Sequence, residues 1–447
     1  MQAWLCHELK LQFTIVELVT RLFQCVHVFE HFKCTCVLTL DKGEDKKKQA
    51  SMNDSIILDL ATDASETTKD YLITTLRDKL NGHKRQKIIA LCAREMELTL
   101  PQSIETIIST DNIDLCFKAK SLMDADNITD FVLVTSLMMK KYWETVFLHM
   151  FSHVHNWSIR GVDVPNQPSG LVRPEVDSVE SSIKNYFKTV GNPDEVKILR
   201  SALIPSDKFN AGFHERYGGV SQLPPIASLN TIYTMRKPDS QLAINENRRR
   251  LGQAAGFDPE QLKVARVEHG KSIWVVGKTP PAYYDGIVTN MPGITIAAPG
   301  ADCSMILLAD TVTGACGAVH AGWRGTTLGA VRACLKAMVD EYQTNPKDVV
   351  AAIGPTVDGK CFDLPAVDAS PVHELDPSFT WPSESNIDWV HADLVKANVK
   401  MLELDGVPSS NIDTSNAYCT VCNKQFFSHR RDGIPFGNQI GFISYKA

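Results

Sequence analysis

Gly317-Ala318-Val319-His320-Ala321-Gly322-Trp323-Arg324-Gly325-Thr326 is the stretch on which the reading of this chain turns. Small and β-branched residues carry a histidine into a glycine-rich turn, and the residues from Thr327 to Tyr342 then repeat with helical spacing. Upstream, Val267-Glu268-His269-Gly270 and Ala301-Asp302-Cys303 each border an apolar run and stand beside small residues. Two imidazoles and one thiol are the donor set of a catalytic zinc, because three protein ligands leave a fourth position for water or substrate. His269, Cys303 and His320 are 34 and 17 residues apart, which is not the local spacing of a zinc knuckle. Their convergence is therefore an expectation about the fold. Glu268, Asp302 and Arg324 are the polar neighbours in a position to orient ligands or touch substrate.

Around this stretch the bulk numbers narrow the class. The chain has 447 residues, 44% hydrophobic and 22% charged, as in an ordinary globular protein, and the length alone suggests about three domains. A net charge of -6 gives no basic footprint, so nucleic acid is not an expected partner. Glu8, Lys10, Glu17 and Arg21 interrupt the apolar residues at the start, which argues against a signal peptide and a spanning helix. The expectation is a cytoplasmic chain, not transmembrane, whose cysteines stay reduced.

Residues 1–195 read as a smaller α/β domain. Tyr71, Leu72, Leu76 and Leu80 predict a helix over 66–81, and Lys87–Cys92 predicts a buried strand. Val176–Val190 predicts a second helix and Val196–Ile204 a further strand. Asp41–Lys48 is a solvated charge run, and three prolines make 164–175 a surface loop. His149, His153 and His155 lie on a Phe/Leu/Met-rich stretch of predicted helix and read as partly exposed structural residues. Residues 196–447 form the second domain, in which glycine turns separate short β-type runs at Ser272–Val276, Ile294–Ile296 and Met305–Leu308. Helices are predicted at Leu242–Ala255, Thr327–Tyr342 and Leu394–Leu404. The fold class is α+β, layered, with mixed sheets flanked by helices. Cys419-Thr-Val-Cys422 is a single CxxC with no second pair, and reads as two reduced thiols near a turn.

The region from Ser201 onward resembles the laccase-domain family, also labelled multicopper polyphenol oxidoreductases. The blocks that carry the resemblance are Gly212-Phe-His-Glu-Arg216-Tyr-Gly-Gly219, Ser228-Leu-Asn230, Glu246-Asn-Arg-Arg-Arg250, Val267-Glu-His269-Gly, Tyr284-Asp-Gly286, Ala301-Asp-Cys303, His320-Ala-Gly-Trp-Arg-Gly325, Ile353-Gly-Pro355, Cys361-Phe-Asp363 and Phe427-Ser-His-Arg-Arg431-Asp-Gly433. The resemblance implies one zinc on His269, Cys303 and His320. It also implies purine nucleoside chemistry: phosphorolysis of adenosine, inosine, guanosine and methylthioadenosine, and deamination of adenosine. Zinc lowers the pKa of water toward about 7, which gives hydrolysis at the purine C6 a physical basis. Glu268 and Asp302 are the proton-transfer candidates by adjacency. Arg216 in its Arg-x-Gly-Gly turn, Arg324 at the start of a helix and Arg431 are the phosphate candidates. Asn230 is a candidate for ribose or base, or a turn residue.

The histidine count tests the family name. Blue multicopper oxidases use about ten histidines, mostly in His-x-His pairs, as that family is generally understood. The region from 201 holds six (His214, His269, His320, His373, His391 and His429), none so paired. Four coppers cannot be built from it, so copper is disfavoured and a single-metal polyphenol oxidoreductase is the alternative. A regulatory scaffold with a vestigial site is another, with residues 1–195 recruiting protein partners. Ala211, His214-Glu215, Glu268 and Ser304-Met305 depart from the residues common in relatives, and all lie near the expected pocket.

Overall fold

Five short apolar runs build the first sheet of the structure, a computed structural model that describes residues 55–61, 69–75, 87–95, 104–164, 175–234 and 238–446. They are β1 (Ser55–Asp59), β2 (Ile88–Cys92), β3 (Ile104–Ile108), β4 (Asp130–Ser136) and β5 (Asn156–Val162), in the order β3-β2-β1-β4-β5. All four pairings are parallel. Every residue of β1 and β2 is buried, as a parallel sheet covered on both faces requires. Trp143, Phe147, Ile183 and Phe187, from the helices Lys140–Met150 and Val179–Thr189, fill one face. The Asp111 carboxylate caps the helix Asn112–Ala125 by accepting from the Ile113 and Asp114 amides.

The expected strand at 87–92 and helix at 176–190 are observed. The helix expected over 66–81 is described at 69–75 only; Leu76, Leu80, the 41–48 charge run and residues 165–174 lie outside the described residues. The strand expected over Val196–Ile204 shrinks to β6 (Ile198–Leu199). There the Ser201 hydroxyl accepts from the Leu203 amide and donates to Asp413, while Asn416 donates to the Arg200 carbonyl, so side chains take the groups a ladder would use. His155 is buried rather than partly exposed, because its Nε2 lies 2.9 Å from the Asp124 carboxylate.

Two mixed sheets dominate the rest. One contains β7 (Phe209–His214), β8 (Leu262–Val264), β11 (Thr295–Gly300) and β16 (Gln439–Tyr445), in the order β6-β7-β16-β11-β8. The other contains β9 (Ile273–Val275), β10 (Gly286–Thr289), β12 (Ser304–Asp310), β13 (Cys316–Ala321), β14 (Val349–Ile353) and β15 (Ile412–Asp413), in the order β15-β14-β12-β13-β10-β9. Phe213, Ile296, Met305, Leu307, Ala318 and Ile443 pack between them. Val319, Val331, Leu335, Met338 and Leu402 seal the outer face of the six-stranded sheet under the helices Ala330–Tyr342 and Leu394–Leu404. The layered α+β class expected from sequence is the one observed.

β13 shows why this arrangement carries the histidine. Cys316 and Ala318 face the second sheet, whereas Val319 and Ala321 face the helices. Strand alternation then puts His320 on the side between the sheets. The helix expected over Thr327–Tyr342 is two, Trp323–Thr327 and Ala330–Tyr342, separated by Gly329 at φ +77°.

Arg250, on the helix Gln241–Ala255, is 1% exposed and ties this region to the first helices. Its guanidinium donates to the carbonyls of Phe187 (2.6 Å), Val190 (2.5 Å) and Gly218 (3.1 Å) and to the Glu246 carboxylate (2.8 Å). Removing it leaves three carbonyls without this donor and takes one of two arginines from the buried Glu246 carboxylate, which keeps Arg249. Arg250→Ala is expected to cost about 3–5 kcal/mol, read as a lower denaturation midpoint; a midpoint equal to wild type would contradict this reading.

Candidate metal centre

The chain passes from one sheet to the other through Ala301-Asp302-Cys303, between β11 and β12. Asp302 takes φ +94°, a conformation that non-glycine residues rarely adopt. Four hydrogen bonds hold it there. Its carboxylate accepts from the Thr420 hydroxyl (2.6 Å) and the Arg430 amide (2.6 Å), and its carbonyl accepts from the Val357 amide (2.9 Å) and the Thr356 hydroxyl (2.8 Å). Cys303 is thereby fixed at the start of β12.

His269 sits in the loop before β9, also left-handed at φ +67°. The amides of Glu268 (3.3 Å), His269 (2.9 Å) and Gly270 (2.8 Å) all donate to the carboxylate of Asp285, which is fully buried at the start of β10. The same carboxylate lies 2.9 Å from His320 Nδ1, and the His320 amide donates to the Asp285 carbonyl at 2.7 Å. Burial pushes the Asp285 carboxyl up, but His320 and the loop amides outweigh it and hold the group below its ordinary value. An ionised Asp285 makes Nδ1 the protonated nitrogen of His320 and leaves Nε2 for a ligand, the carboxylate–histidine arrangement common behind metal ligands.

The ligand atoms of His269, Cys303 and His320 come within 4.8 Å of one another, and the imidazoles stand edge to face with centroids 4.9 Å apart. A four-coordinate zinc with bonds of about 2.1 Å to nitrogen and about 2.3 Å to sulfur spaces its ligands about 3.5 Å apart, within the 4.8 Å that bounds these ligand atoms. Gly322 leaves the room: a Cβ there would come 2.8 Å from Cys303 Sγ and 3.1 Å from the His269 ring. Burial pushes the Cys303 thiol up, yet His320 and His269 hold it down at about 6. Burial lowers His320, and Cys303 and Asp285 raise it to about 9. The Cys303 thiol is thus held toward thiolate, the form that binds metal. The donor set fits a borderline-soft ion.

The other residues singled out in the sequence divide by what their polar atoms already do. Asn230 is buried, donates to Ile232 and Asp239, and accepts from the Asn438 amide. Arg216 donates to the carbonyls of Ala227 (2.9 Å) and Pro224 (3.1 Å), lies over the Phe427 ring and faces Asp432. Arg431 donates to the carbonyls of Thr420, Asn423 and Phe426 and pairs with Asp432. These three brace loops. Glu268 and Arg324 differ. Both are exposed, and among the described residues neither side chain makes a hydrogen bond or ion pair; the Arg324 guanidinium rests over the Trp323 ring. Glu268 adjoins His269, and Arg324 lies four residues beyond His320. A cavity of about 800 Å³ is lined by Lys271, Thr326, Arg332 and Asp405 among others but by none of the three ligands. The open side of the centre is the exposed edge at His269.

Sequence reasoning missed Asp285 as the organiser, although the Tyr284-Asp-Gly286 block contains it. It also missed that Cys361 joins Cys419 and Cys422, whose sulfur atoms lie within 4.8 Å of one another. His214, His373, His391 and His429 belong to neither cluster.

Residues 210–446 match the family model described as multi-copper polyphenol oxidoreductase laccase. The chain is 35% identical over 345 residues to purine nucleoside phosphorylase LACC1 of Mus musculus, covering 74% of this chain and 79% of that protein, with the same figures for the Homo sapiens protein of that name. Purine nucleoside phosphorylase YlmD of Geobacillus stearothermophilus is 33% identical over 267 residues, covering 56% of this chain and 94% of its own. The crystal structure of YlmD from Geobacillus stearothermophilus superposes with a TM-score of 0.50 at 28% identity, over 58% of this chain and 97% of that one. Through residues 210–446 the chain belongs to the multi-copper polyphenol oxidoreductase laccase family.

Proposed function

We propose that the chain is a zinc-dependent purine nucleoside phosphorylase whose reaction takes place at the His269, Cys303 and His320 centre. One observation carries the reading. Three ligands converge on an open-sided site in a chain whose relatives bear the name purine nucleoside phosphorylase. Adenosine, inosine, guanosine and methylthioadenosine are the proposed nucleosides, with phosphate as co-substrate. Bound there, zinc supplies Lewis acidity to a substrate atom and lowers the pKa of water. Two imidazoles and one thiolate favour zinc, and the four remaining histidines of the region supply no further copper cluster among the described residues.

In phosphorolysis a phosphate oxygen bonds to C1′ of the ribose as the bond from C1′ to the purine breaks. The electron pair leaves with the purine, which takes up a proton, and ribose 1-phosphate is released. Arg324 is the proposed phosphate ligand, because its guanidinium is the uncommitted one beside the centre and suits two phosphate oxygens at once. Glu268 is the proposed proton carrier, because its carboxylate is free and adjoins His269. Asp302 is a positioning residue that holds Cys303 through the Thr420 and Arg430 bonds. Arg216, Asn230 and Arg431 shape the surrounding loops. Deamination of adenosine is the proposed second activity: water displaces ammonia at C6, with Glu268 again carrying the proton.

Incubating the protein with adenosine, with and without phosphate, separates the two reactions. Adenine and ribose 1-phosphate are expected with phosphate, and inosine in its absence. Cys303→Ala is expected to abolish both while the far-UV spectrum is unchanged; full turnover in that variant would refute the centre as the site. The two exposed charges have separable effects. Glu268→Gln is expected to lower kcat about 10²–10⁴-fold, and Arg324→Ala to raise KM for phosphate about tenfold, the size of one charge-assisted hydrogen bond. Equal kcat in the first or an unchanged phosphate KM in the second would remove that residue from the mechanism.

A further inference from the structure

A second group of soft ligands lies outside the centre just described. Cys361 closes the short turn Gly359–Cys361, and Cys419 and Cys422 form the two ends of a CxxC turn. A parallel bridge between Thr356 and Cys419 brings the two segments together, through the Thr356 amide on the Tyr418 carbonyl and the Thr420 amide on the Thr356 carbonyl, each at 3.0 Å. As a result three thiols, remote in sequence, have their sulfur atoms within 4.8 Å of one another, with Cys361 Sγ 3.4 Å from Cys422 Sγ.

We propose that Cys361, Cys419 and Cys422 form a second metal site, a three-thiolate pocket for a thiophilic d¹⁰ cation such as Zn²⁺. Three features favour a cation over the alternatives. A tetrahedral zinc with bonds of about 2.3 Å spaces its sulfur ligands about 3.8 Å apart, inside the range found here. A disulfide needs a separation of about 2.05 Å and would leave the third sulfur unused. Three thiolates this close repel one another unless a positive charge lies between them, and soft sulfur selects zinc over harder ions. Cys422 is exposed, so the fourth position opens to solvent.

The place of the site in the fold gives it a task. Thr420, between the two cysteines of the turn, donates to the Asp302 carboxylate beside Cys303, and Thr356 donates to the Asp302 carbonyl. A cation at the sulfur cluster pins both segments that hold Asp302 in its left-handed conformation. The two metal sites are therefore joined by one residue, while each has its own ligands.

Zinc binding to the full chain tests this without reference to turnover. Protein is reduced, stripped of metal, loaded with Zn²⁺ and freed of excess, and bound zinc is counted in wild type and in the double variant Cys361→Ser/Cys422→Ser. The variant is expected to hold about one zinc fewer per chain and to keep its far-UV spectrum. In a Cys303→Ala background, Co²⁺ is expected to give the near-ultraviolet thiolate-to-cobalt absorption, which disappears when Cys361→Ser/Cys422→Ser is added. Equal zinc content in the variant and wild type, or cobalt absorption that survives the loss of both cysteines, would overturn the proposal.

Discussion

A single buried carboxylate organises the candidate centre. Asp285 accepts from three consecutive backbone amides of the 268–270 loop and from His320 Nδ1. A buried anion without partners is strongly unfavourable, and one with four donors is well satisfied. The consequences reach both histidines. The loop amides can converge only if His269 takes its left-handed conformation, and the charge on Asp285 decides which nitrogen of His320 is free. Asp285 is in turn held by the sheets, since Gly286 pairs with Val319 and the His320 amide returns to the Asp285 carbonyl.

The third ligand depends on a similar device. Asp302 and His269 are two of only four non-glycine residues with positive φ among the described residues, and both stand at the centre. Each such residue costs on the order of 1–3 kcal/mol and persists only where its surroundings over-determine it. For Asp302 the surroundings are Thr356, Val357, Thr420 and Arg430; for His269 they are Asp285 and its other amide donors. The strain falls where the chain must turn between two sheets and present a side chain to the gap. The proposed sulfur site belongs to the same scheme, because its two segments carry Thr356 and Thr420.

Much of this was legible in the residues, and the limits have physical causes. β13 could be read because small residues and a histidine alternate along it, and alternation alone gives the face His320 occupies. The three ligands could be named, but spacing says nothing about convergence, which depends on β11, β12 and β13 lying in two stacked sheets. Asp285 was hidden because an Asp-Gly pair reads as a turn, and its role depends on amides fifteen to seventeen residues upstream. Arg216 and Arg431 resemble phosphate ligands in sequence, yet Arg431 gives its donors to carbonyls and to Asp432, and Arg216 gives two of its own to carbonyls that only the folded loops bring near. Cys361 was separated from the CxxC for the same reason. Val196–Ile204 has the apolar content of a strand, but Asp413 and Asn416, two hundred residues away in sequence, bind its polar groups and end the ladder.

The central claim is that the charge of Asp285 builds the metal centre. It is tested most directly by the zinc affinity of Asp285→Asn, measured by competition with a chelator in a Cys361→Ser/Cys422→Ser background so that one site alone is observed. Asparagine keeps the shape and one acceptor but loses the charge that fixes His320. The account predicts zinc binding about 10–100-fold weaker in a protein that remains folded. An unchanged affinity would show that His269, Cys303 and His320 are held in place by something other than this carboxylate.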